Sequence, residues 1–356
     1  VTGYFSRDGI ICGHKKKPRT LHVDSILTDY ASAFMRDEST YIAAKAVPVS
    51  PVKYQSDLYN VWSRADFARD DAKPRAPGAP SAETIASVST DSYRAEVYAL
   101  KGKSIDRERD SSDDPAGYEQ GVTASVIDQL LLRRERAFLA RAFLSTSWDS
   151  GNRMTGDDDV ANTPYASTFT SFPTSGSDPI MTMNYAHTLV RRGTNGRRAD
   201  TMIVSPDVHD YLIGHSAVSP KIVYGGALNN PAVITSENAD AQLAVMARIF
   251  GVQRYLIANS AYNTALQNAT GSYSDIASGQ ILLMYCPINA PKMAPTAMRA
   301  FSWSPYDQAQ GPNKVTVKRW RDENIESDWL ESQFAVDFKV TASSAGVILS
   351  SCLNVD

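Results

Sequence analysis

The residue types that most often carry catalysis occur in this chain without the spacing that catalysis requires. Residues 214–218, GHSAV, partly match the nucleophile-elbow pattern GxSxG, in which a strained turn between a strand and a helix exposes a reactive serine. Val218 stands where the pattern needs its second glycine, and the stretch follows a predicted helix, whereas the motif must follow a strand. The sequence therefore predicts no serine nucleophile here.

Histidine and acidic residues also lack the patterns of metal sites. His209 and His215 lie on or beside one short predicted helix, but no carboxylate or cysteine accompanies them at ligand spacing. The run of three aspartates at 157–159 lacks the alternating pattern and the final glutamate of a calcium loop, so we interpret it as a solvated acidic loop. The sequence contains neither a phosphate-binding GxxxxGKS/T nor a GxGxxG after a strand. We expect no cofactor, no metal and no enzymatic activity.

The composition is that of an ordinary globular protein. The 356 residues include 43% hydrophobic and 21% charged residues, with a formal net charge of −3, so nothing global indicates nucleic acid or membrane as the main partner. Cys12, Cys286 and Cys352 are odd in number and far apart, which predicts no disulfide framework. No apolar run precedes a cleavage site or approaches the length of a membrane helix, so we expect neither standard secretion nor a membrane span.

Residues 64–83, RADFARDDAKPRAPGAPSAE, form the least self-sufficient stretch of the sequence. It lies between two predicted strands, YQSDLYNVWS (54–63) and TDSYRAEVYALKG (90–102). Its charges are balanced, its three prolines limit chain entropy, and Phe67 is its only large apolar residue. We predict a hairpin tip that docks on another copy of the chain. Its candidate contact residues are Arg64, Asp66, Phe67, Arg69, Asp70, Asp71, Lys73 and Arg75.

The longest helical pattern in the sequence runs over 118–147, after a helix entry at Asp113, Asp114 and Pro115. It contains two apolar stripes that we interpret as opposed, one with Ile127 and Leu131 and the other with Val126 and Leu130, which predicts a helix covered on both sides. Glu135 falls in the first stripe, where burial would require a cationic partner. Alternatively, Glu135 is half covered and pairs with an arginine at little net gain. Further contact candidates on this helix are Arg133, Arg134, Glu135 and Arg136.

The remaining segments alternate between arm, helix and strand signals. Residues 1–22 are basic and aperiodic, which predicts an extended arm, and helical periodicity follows over 24–41. Strand and helix signals alternate between 199 and 286. The first strand is followed by a helix with Ser205 as its cap and Pro206 in its first turn. A second helix, stopped by Gly251, precedes a strand and then a buried strand. The C-terminal part, from RAFSW (299–303) to GVILSSCLNVD (346–356), predicts antiparallel strands.

The order of these segments resembles that of the major capsid proteins of tailed double-stranded DNA bacteriophages, the Hong Kong 97-type capsid fold family. The segments that carry the resemblance, covering nearly all of residues 22–356, are HVDSILTDYASAF (22–34), AVPVSPVKY (46–54), the hairpin, SVIDQLLLRRERAFLARAF (125–143), DTMIVSPDVHDYLIGH (200–215), the helix–strand unit at 233–265, QILLMYCPINAPKMAPTAMRAFSW (280–303) and the closing β-segment with AGVILSSC (345–352).

The resemblance implies an α+β fold with named parts. These would be an N-terminal arm (1–45), an extended β-hairpin loop (46–104), a peripheral domain with a long spine helix (105–186, helix 118–147), an axial α/β domain (187–298) and a peripheral β-sheet (299–356). Some members join subunits through a lysine on the extended loop. Lys73 lies near the right loop tip, but no asparagine or catalytic carboxylate can be placed opposite it.

The function that the resemblance implies is assembly and not catalysis. Pentamers and hexamers of the chain would build an icosahedral or prolate shell around double-stranded DNA, in the host bacterial cytoplasm and then in the virion. The implied partners are copies of the chain, scaffolding, portal and decoration proteins, and packaged DNA through non-specific contacts, with no membrane and no cofactor. An N-terminal scaffolding segment would be already removed or supplied by a separate protein. The alternatives are an encapsulin-like compartment and, from the strand and helix alternation at 199–286, an α/β enzyme.

Overall fold

The computed structural model describes residues 41–63, 70, 72, 74–75, 77–78, 80–81, 89–160, 166–224, 239–265, 270–291, 294–305 and 316–353. The predicted arm, nearly all of the predicted helix at 24–41 and most of the stretch 64–83 lie outside these residues.

The described residues form helices and strands of widely different lengths. The helices are α1 Ala43–Ala46, α2 Asp106–Asp110, α3 Pro115–Ala142, α4 Pro179–Gly193, α5 Pro206–Gly214, α6 Ser219–Tyr224 and α7 Ala239–Phe250. The strands are β1 Val49–Val52, β2 Ser56–Val61, β3 Ser89–Arg94, β4 Glu96–Ile105, β5 Arg153–Asp157, β6 Thr168–Thr170, β7 Thr201–Val204, β8 Arg254–Ile257, β9 Ala261–Asn263, β10 Tyr273–Asp275, β11 Ile281–Met284, β12 Met298–Trp303, β13 Thr316–Asp322, β14 Ser327–Val340 and β15 Gly346–Ser350.

A six-stranded mixed sheet forms the centre of the core, in the order β6-β5-β15-β11-β7-β8. Its inner strands β7 and β11 are buried at every residue, as their continuous apolar sequences require. Alternate residues face opposite sides, so Met202 and Val204 pack in one hydrophobic cluster with α4, α5 and α7, whereas Ile203 packs in a second cluster. The second cluster contains Phe138 of α3 and Phe338 of β14. It therefore packs the six-stranded sheet against α3 and against the sheet that contains β14.

A five-stranded sheet is organised around β14, the longest strand. Residues 327–336 of β14 pair antiparallel with β4. Strand β13 pairs antiparallel with residues 327–333 of β14, and strand β12 pairs antiparallel with residues 336–340. Strand β1 extends this sheet in parallel to β12. Strand β15 pairs with β11 and β5 of the six-stranded sheet, which differs from the predicted grouping of 299–356 in one peripheral sheet.

Helix α3 begins and is buried in a way that sequence rules explain only in part. Asp114 caps it by accepting a hydrogen bond from the amide of Gly117, with Pro115 in the first turn, as predicted. The helix ends at Ala142, five residues before the predicted end at 147. The prediction of two opposed stripes is wrong within this chain. Val126 and Leu130 are buried in the same stripe as Ile127 and Leu131, because residues one position apart are only 100° apart around a helix and a wide stripe accommodates both.

The predicted hairpin is present, and its base is paired in register from Ser56 with Arg94 to Val61 with Ser89. The predicted strand at 90–102 is interrupted at Ala95. Residues before it pair with β2, and those after it form β4 in the five-stranded sheet. The hairpin therefore continues directly into the sheet that supports it.

Candidate assembly surface

The base of the β2–β3 hairpin packs on its own chain through a small aromatic cluster. The ring of Tyr93 stacks on that of Phe301 with 4.7 Å between centroids, and the ring of Tyr59 lies 5.1 Å from Phe301. The exposed fractions of Tyr59, Tyr93 and Phe301 are 8%, 4% and 6%. The base of the hairpin thus has a core within its own chain, because strand β12 supplies an apolar surface for it.

Polar contacts fix the direction in which the hairpin leaves the sheet. The Tyr59 hydroxyl donates to Asp91 Oδ2 at 2.9 Å, and the amide of Arg94 donates to Asp337 Oδ2 at 2.9 Å. Beyond the strand, the amide of Trp62 donates to the carbonyl of Thr341 at 2.8 Å. Burial raises the pKa of the Tyr59 phenol and the bond to Asp91 raises it further, so this phenol stays a donor at neutral pH.

The outward side of the hairpin is exposed and partly apolar. The exposed fraction of Leu58 is 64% and that of nearby Tyr54 is 58%, although both side chains are large and apolar in their bodies. Of the predicted tip contacts, Asp70 and Arg75 are exposed, whereas Arg64, Asp66, Phe67, Arg69, Asp71 and Lys73 lie outside the described residues. The described part of the hairpin thus presents a surface suited to contact with another molecule.

The predicted contact residues on α3 have different environments. Arg133 is exposed, with its guanidinium carbon 4.9 Å from the centroid of the Tyr98 ring. Arg136 is half-buried and lies 4.0 Å from the Tyr262 ring centroid, which links α3 to the β9–β10 hairpin. Arg134 is buried, with 8% exposed. Of the three arginines, only Arg133 is fully available to another subunit in the isolated chain.

Glu135 lies inside its own chain with 0% exposed, which differs from its predicted role in an inter-subunit contact. Its Oε2 accepts a hydrogen bond from the amide of Ala43 at 2.8 Å, and its Oε1 accepts one from Ile42 at 3.2 Å. Burial raises its pKa to about 7, while those amides and the nearby charges of Arg134 and Lys45 oppose the rise. The expected covered site is confirmed, but backbone amides make the hydrogen bonds that we expected from a cation.

The C-terminal end of α1 is held by a residue that the sequence analysis did not single out. Arg254 Nη1 donates to the carbonyls of Lys45 and Ala46 at 2.5 and 3.3 Å. Its Nη2 donates to Thr201 Oγ1 and to the carbonyl of Cys286, and lies 3.5 Å from Asp200 Oδ2. Arg254 thereby joins α1, which precedes the hairpin, to three strands or strand ends of the six-stranded sheet.

Ion pairs join the turn between β13 and β14 to α2 and α3. They lie at the end of β14 that is far from the hairpin base. Arg319 binds Glu119 through two 3.0 Å hydrogen bonds and binds Asp328 at 2.6 Å. We call this region the acidic apex, because five carboxylates share three arginines. It comprises Asp106, Asp110, Glu119, Glu323 and Asp328 with Arg109, Arg319 and Arg321. Hydrogen bonds from Arg321 lower the pKa of Asp106, so the carboxylate stays ionised.

The histidines that could have suggested chemistry have separate structural partners. His209 Nδ1 is 2.9 Å from the Tyr255 hydroxyl, and burial lowers its pKa to about 4, so the ring is neutral at pH 7. His215 Nε2 lies 3.0 Å from Ser177 Oγ, and its Nδ1 accepts from the amide of Ala217. Among the described residues, no group of three or more His, Cys, Asp or Glu side chains could hold a metal ion. No described helix is long and apolar enough to cross a membrane.

Among the solved structures that share this fold are a phage-related protein and two capsids. A phage-related protein from Bordetella bronchiseptica RB50 has a TM-score of 0.65 and 16% identity, covering 93% of this chain and 97% of that one. The capsid of cyanophage P-SCSP1u has a TM-score of 0.51 and 10% identity, covering 85% and 86%. The capsid of a native GTA particle has a TM-score of 0.51 and 11% identity, covering 88% and 90%.

Sequence comparison gives no corresponding match. No protein-family model matches the chain, and no curated protein matches it. At these identities the likeness concerns fold. The chain has the mixed α+β fold of phage capsid proteins, which confirms the resemblance at the level of architecture.

Proposed function

We propose that this chain is the major capsid protein of a tailed double-stranded DNA bacteriophage, and that it assembles as pentamers and hexamers into a closed shell. The observation that carries the proposal is the extent of the likeness, which covers nearly the whole of this chain and of a phage-related protein. The capsids of a cyanophage and of a GTA particle, which are assembled shells, share the fold over most of their length. A fold held in common over that length is expected to present similar surfaces for self-association.

The finer Hong Kong 97-type organisation is part of the proposal. The β2–β3 hairpin corresponds to the extended loop, α3 to the spine helix of the peripheral domain, and the six-stranded sheet with α4, α5 and α7 to the axial part. The five-stranded sheet around β14 completes the peripheral part. The order of these elements along the chain and the continuous paths of β1–β2 and β3–β4 between hairpin and sheet support this assignment.

The surface that we assign to contacts between subunits begins at the hairpin. Within the described residues it includes Leu58, Asp70, Arg75 and Arg133, all of which are exposed. The remaining candidates of the stretch 64–83 belong to it by sequence alone, with their mixture of opposite charges suited to an interface rim. Arg134 and Arg136 would contribute only where a neighbour reaches the side of α3, and Glu135 acts by positioning α1.

The proposal extends to location and partners. The chain would assemble in the host bacterial cytoplasm and remain in the virion. It would bind scaffolding, portal and decoration proteins during assembly, and packaged DNA through non-specific contacts. The shell itself requires no catalysis and no cofactor.

Electron microscopy of the purified full chain tests the proposal. Uniform closed shells, hundreds of ångströms across and built from five- and six-fold rings, are the expected result. Double-stranded DNA recovered from shells produced in infected cells selects the phage reading, whereas a specific protein cargo would select an encapsulin-like compartment. A chain that stays monomeric under all assembly conditions contradicts both, and turnover of a substrate by the monomer would favour an enzyme.

A further inference from the structure

A cavity of about 280 Å³ lies where the hairpin base meets the five-stranded sheet. Leu58 and Trp62 line it on the hairpin side, and Val52 and Phe301 of β1 and β12 line the sheet side. The polar side chains on which its chemistry depends are Ser50 and Arg299, both of which are buried. The site is therefore a largely apolar recess with one cation in its wall.

Arg299 is a buried cation with no anionic partner among the described residues. Only 4% of it is exposed, and burial lowers its pKa. Its Nη1 donates to Ser50 Oγ at 2.9 Å, and its Nη2 donates to the carbonyls of Pro291 and Ala294 at 2.9 and 3.1 Å. Among the described residues, no carboxylate oxygen lies within 4.0 Å of a guanidinium nitrogen of Arg299, the distance of an ion pair. Neutral acceptors compensate a desolvated guanidinium less well than a carboxylate does.

The other arginines of the same sheet show the contrast. Arg319 and Arg321 have side chains that are 33% and 36% exposed, and each of them still binds a carboxylate through two hydrogen bonds. A nearby carboxylate stabilises a buried guanidinium more than an exposed one. In this sheet the more exposed arginines have carboxylate partners among the described residues and the buried Arg299 has none, which is the reverse of what an isolated chain would favour. The deficit at Arg299 is thus expected to be filled by another molecule.

A second copy of the chain can supply the missing charge. The acidic apex has more carboxylates than arginines, and the side chains of Asp110 and Glu323 there are 69% and 81% exposed. The apex adjoins Ser327, whereas Arg299 pairs with Lys339 near the other end of β14. Twelve residues of strand separate the two ends by roughly 40 Å, so these carboxylates cannot reach Arg299 of their own chain. Contacts between different ends of identical subunits generate rings when the rotation from one subunit to the next closes.

We propose that this cavity binds a carboxylate side chain of a second copy of the chain, with Arg299 as its counter-charge and Leu58 and Trp62 covering its apolar stem. The site rests on the proposed function, because it is occupied only in an assembly. Its chemistry, an anion receptor with an apolar mouth, does not depend on which shell the chain builds.

Crosslinking at the mouth of the cavity tests the identity of the occupant. A photoreactive benzoylphenylalanine replaces Leu58, and the same residue at exposed Tyr273 of β10 is the control. Shells are assembled from a mixture of isotopically light and heavy chains, irradiated and digested. We expect mixed-isotope crosslinks from position 58 to a peptide that contains an aspartate or glutamate. Crosslinks within one chain only, or none in shells that form normally, would overturn the proposal.

Substitution of Arg299 tests the chemistry. Arg299→Met removes the charge at similar volume, but it also leaves Ser50 Oγ and the carbonyls of Pro291 and Ala294 without their donor. We expect a lower unfolding midpoint for the dissociated chain, so assembly is measured at a temperature at which the variant is folded. The concentration needed for half-assembly should rise at least about tenfold, and Arg299→Lys should lie between Met and wild type. Assembly of Arg299→Met at the wild-type concentration would contradict the proposal.

A small-molecule probe keeps the test independent of folding and of shell formation. The wild-type chain, unassembled, is titrated with 3-phenylpropionate and with 3-phenylpropanamide while the Trp62 indole resonance is followed by NMR. The carboxylate should shift this resonance and raise the half-assembly concentration, whereas the amide should do neither. Equal effects of the two compounds would overturn the site. If wild-type chains bind the carboxylate but form no shells, the proposed function fails and the anion site stands.

Discussion

Glu135 and Arg254 hold opposite ends of the same one-turn helix. The Glu135 carboxylate accepts hydrogen bonds from the amides of Ile42 and Ala43, and the Arg254 guanidinium donates to the carbonyls of Lys45 and Ala46. The negative group stands at the helix N-terminus and the positive group at its C-terminus, which matches the helix dipole at both ends. A helix of four residues has no stability by itself. The position of α1, which leads into β1 and the hairpin, therefore depends on this pair.

Replacing Glu135 by alanine is expected to lower the free energy of unfolding by about 2–4 kcal/mol, since two buried amides lose the carboxylate that accepts their hydrogen bonds. Chemical denaturation of the unassembled chain measures the loss. Gln129→Ala on the exposed side of the same helix is the matched control and should stay within about 0.5 kcal/mol of wild type. A Glu135→Ala chain as stable as the control would mean that α1 finds other acceptors.

The same carboxyl should make stability depend on pH. Its pKa is about 7 in the folded chain against 4.5 in the absence of the fold, so the folded chain holds this proton more tightly. The stabilisation linked to the proton is complete below about pH 4.5 and is lost as the pH rises through 7. Relative to Glu135→Gln, wild type should lose about 1–3 kcal/mol of unfolding free energy over this window. An unchanged difference between the two chains from pH 4.5 to 7.5 would contradict the prediction.

Arg254→Met is expected to release α1 and to lower the free energy of unfolding by about 3–5 kcal/mol. Asp200 stays buried in this variant after its cationic partner has been removed. Hydrogen exchange should become faster at the amides of 43–47 and remain unchanged in α4. Arg191→Met at an exposed position of α4 is the control. Protection of 43–47 that survives in Arg254→Met would show that Glu135 alone is sufficient.

Local signals predicted the elements that depend on local chemistry. Asp114 and Pro115 begin α3 as expected, and Gly251, at a φ of +68°, ends α7 in the conformation that favours glycine. Ser205 shows the limit of such rules. It occupies the cap position of α5, but its hydroxyl bonds the backbone of Gln280, 75 residues away, because β11 lies beside it in the sheet.

The candidate site was less predictable because its contacts are distant in sequence. Glu119 and Arg319 are 200 residues apart. The amides that donate to Glu135 belong to residues more than 90 positions earlier in the chain. An apolar pattern indicates that Glu135 is buried but not what it binds. Arg299 is the reverse case. No spacing marks it, and its significance depends on the lack of a carboxylate partner within the part of the chain that the structure describes.

Phe301→Ala should uncouple the hairpin from the sheet. The ring packs against Tyr59 and Tyr93 and is 6% exposed, so its removal leaves a cavity under the hairpin and should cost about 3–4 kcal/mol. Faster hydrogen exchange in β2 and β3, with little change in the six-stranded sheet, is the expected signature. Tyr54→Ala, at a side chain that is 58% exposed, provides the control. Equal exchange in the two variants would show that the backbone ladder alone holds the base.

Deleting residues 64–83 separates folding from assembly. The ladder of β2 and β3 stays closed at Val61 and Ser89, and residues 62–63 and 84–88 are enough to form the turn. Because none of the described core residues is removed, the melting temperature of the unassembled chain should be unchanged. Shell yield and the resistance of shells to denaturant should fall, since the deleted stretch carries eight of the proposed contacts. Cryo-electron microscopy and light scattering measure both. Shells of normal size, yield and melting behaviour would remove the hairpin tip from the assembly surface and leave its base, with the cavity beside Leu58, as the part that matters.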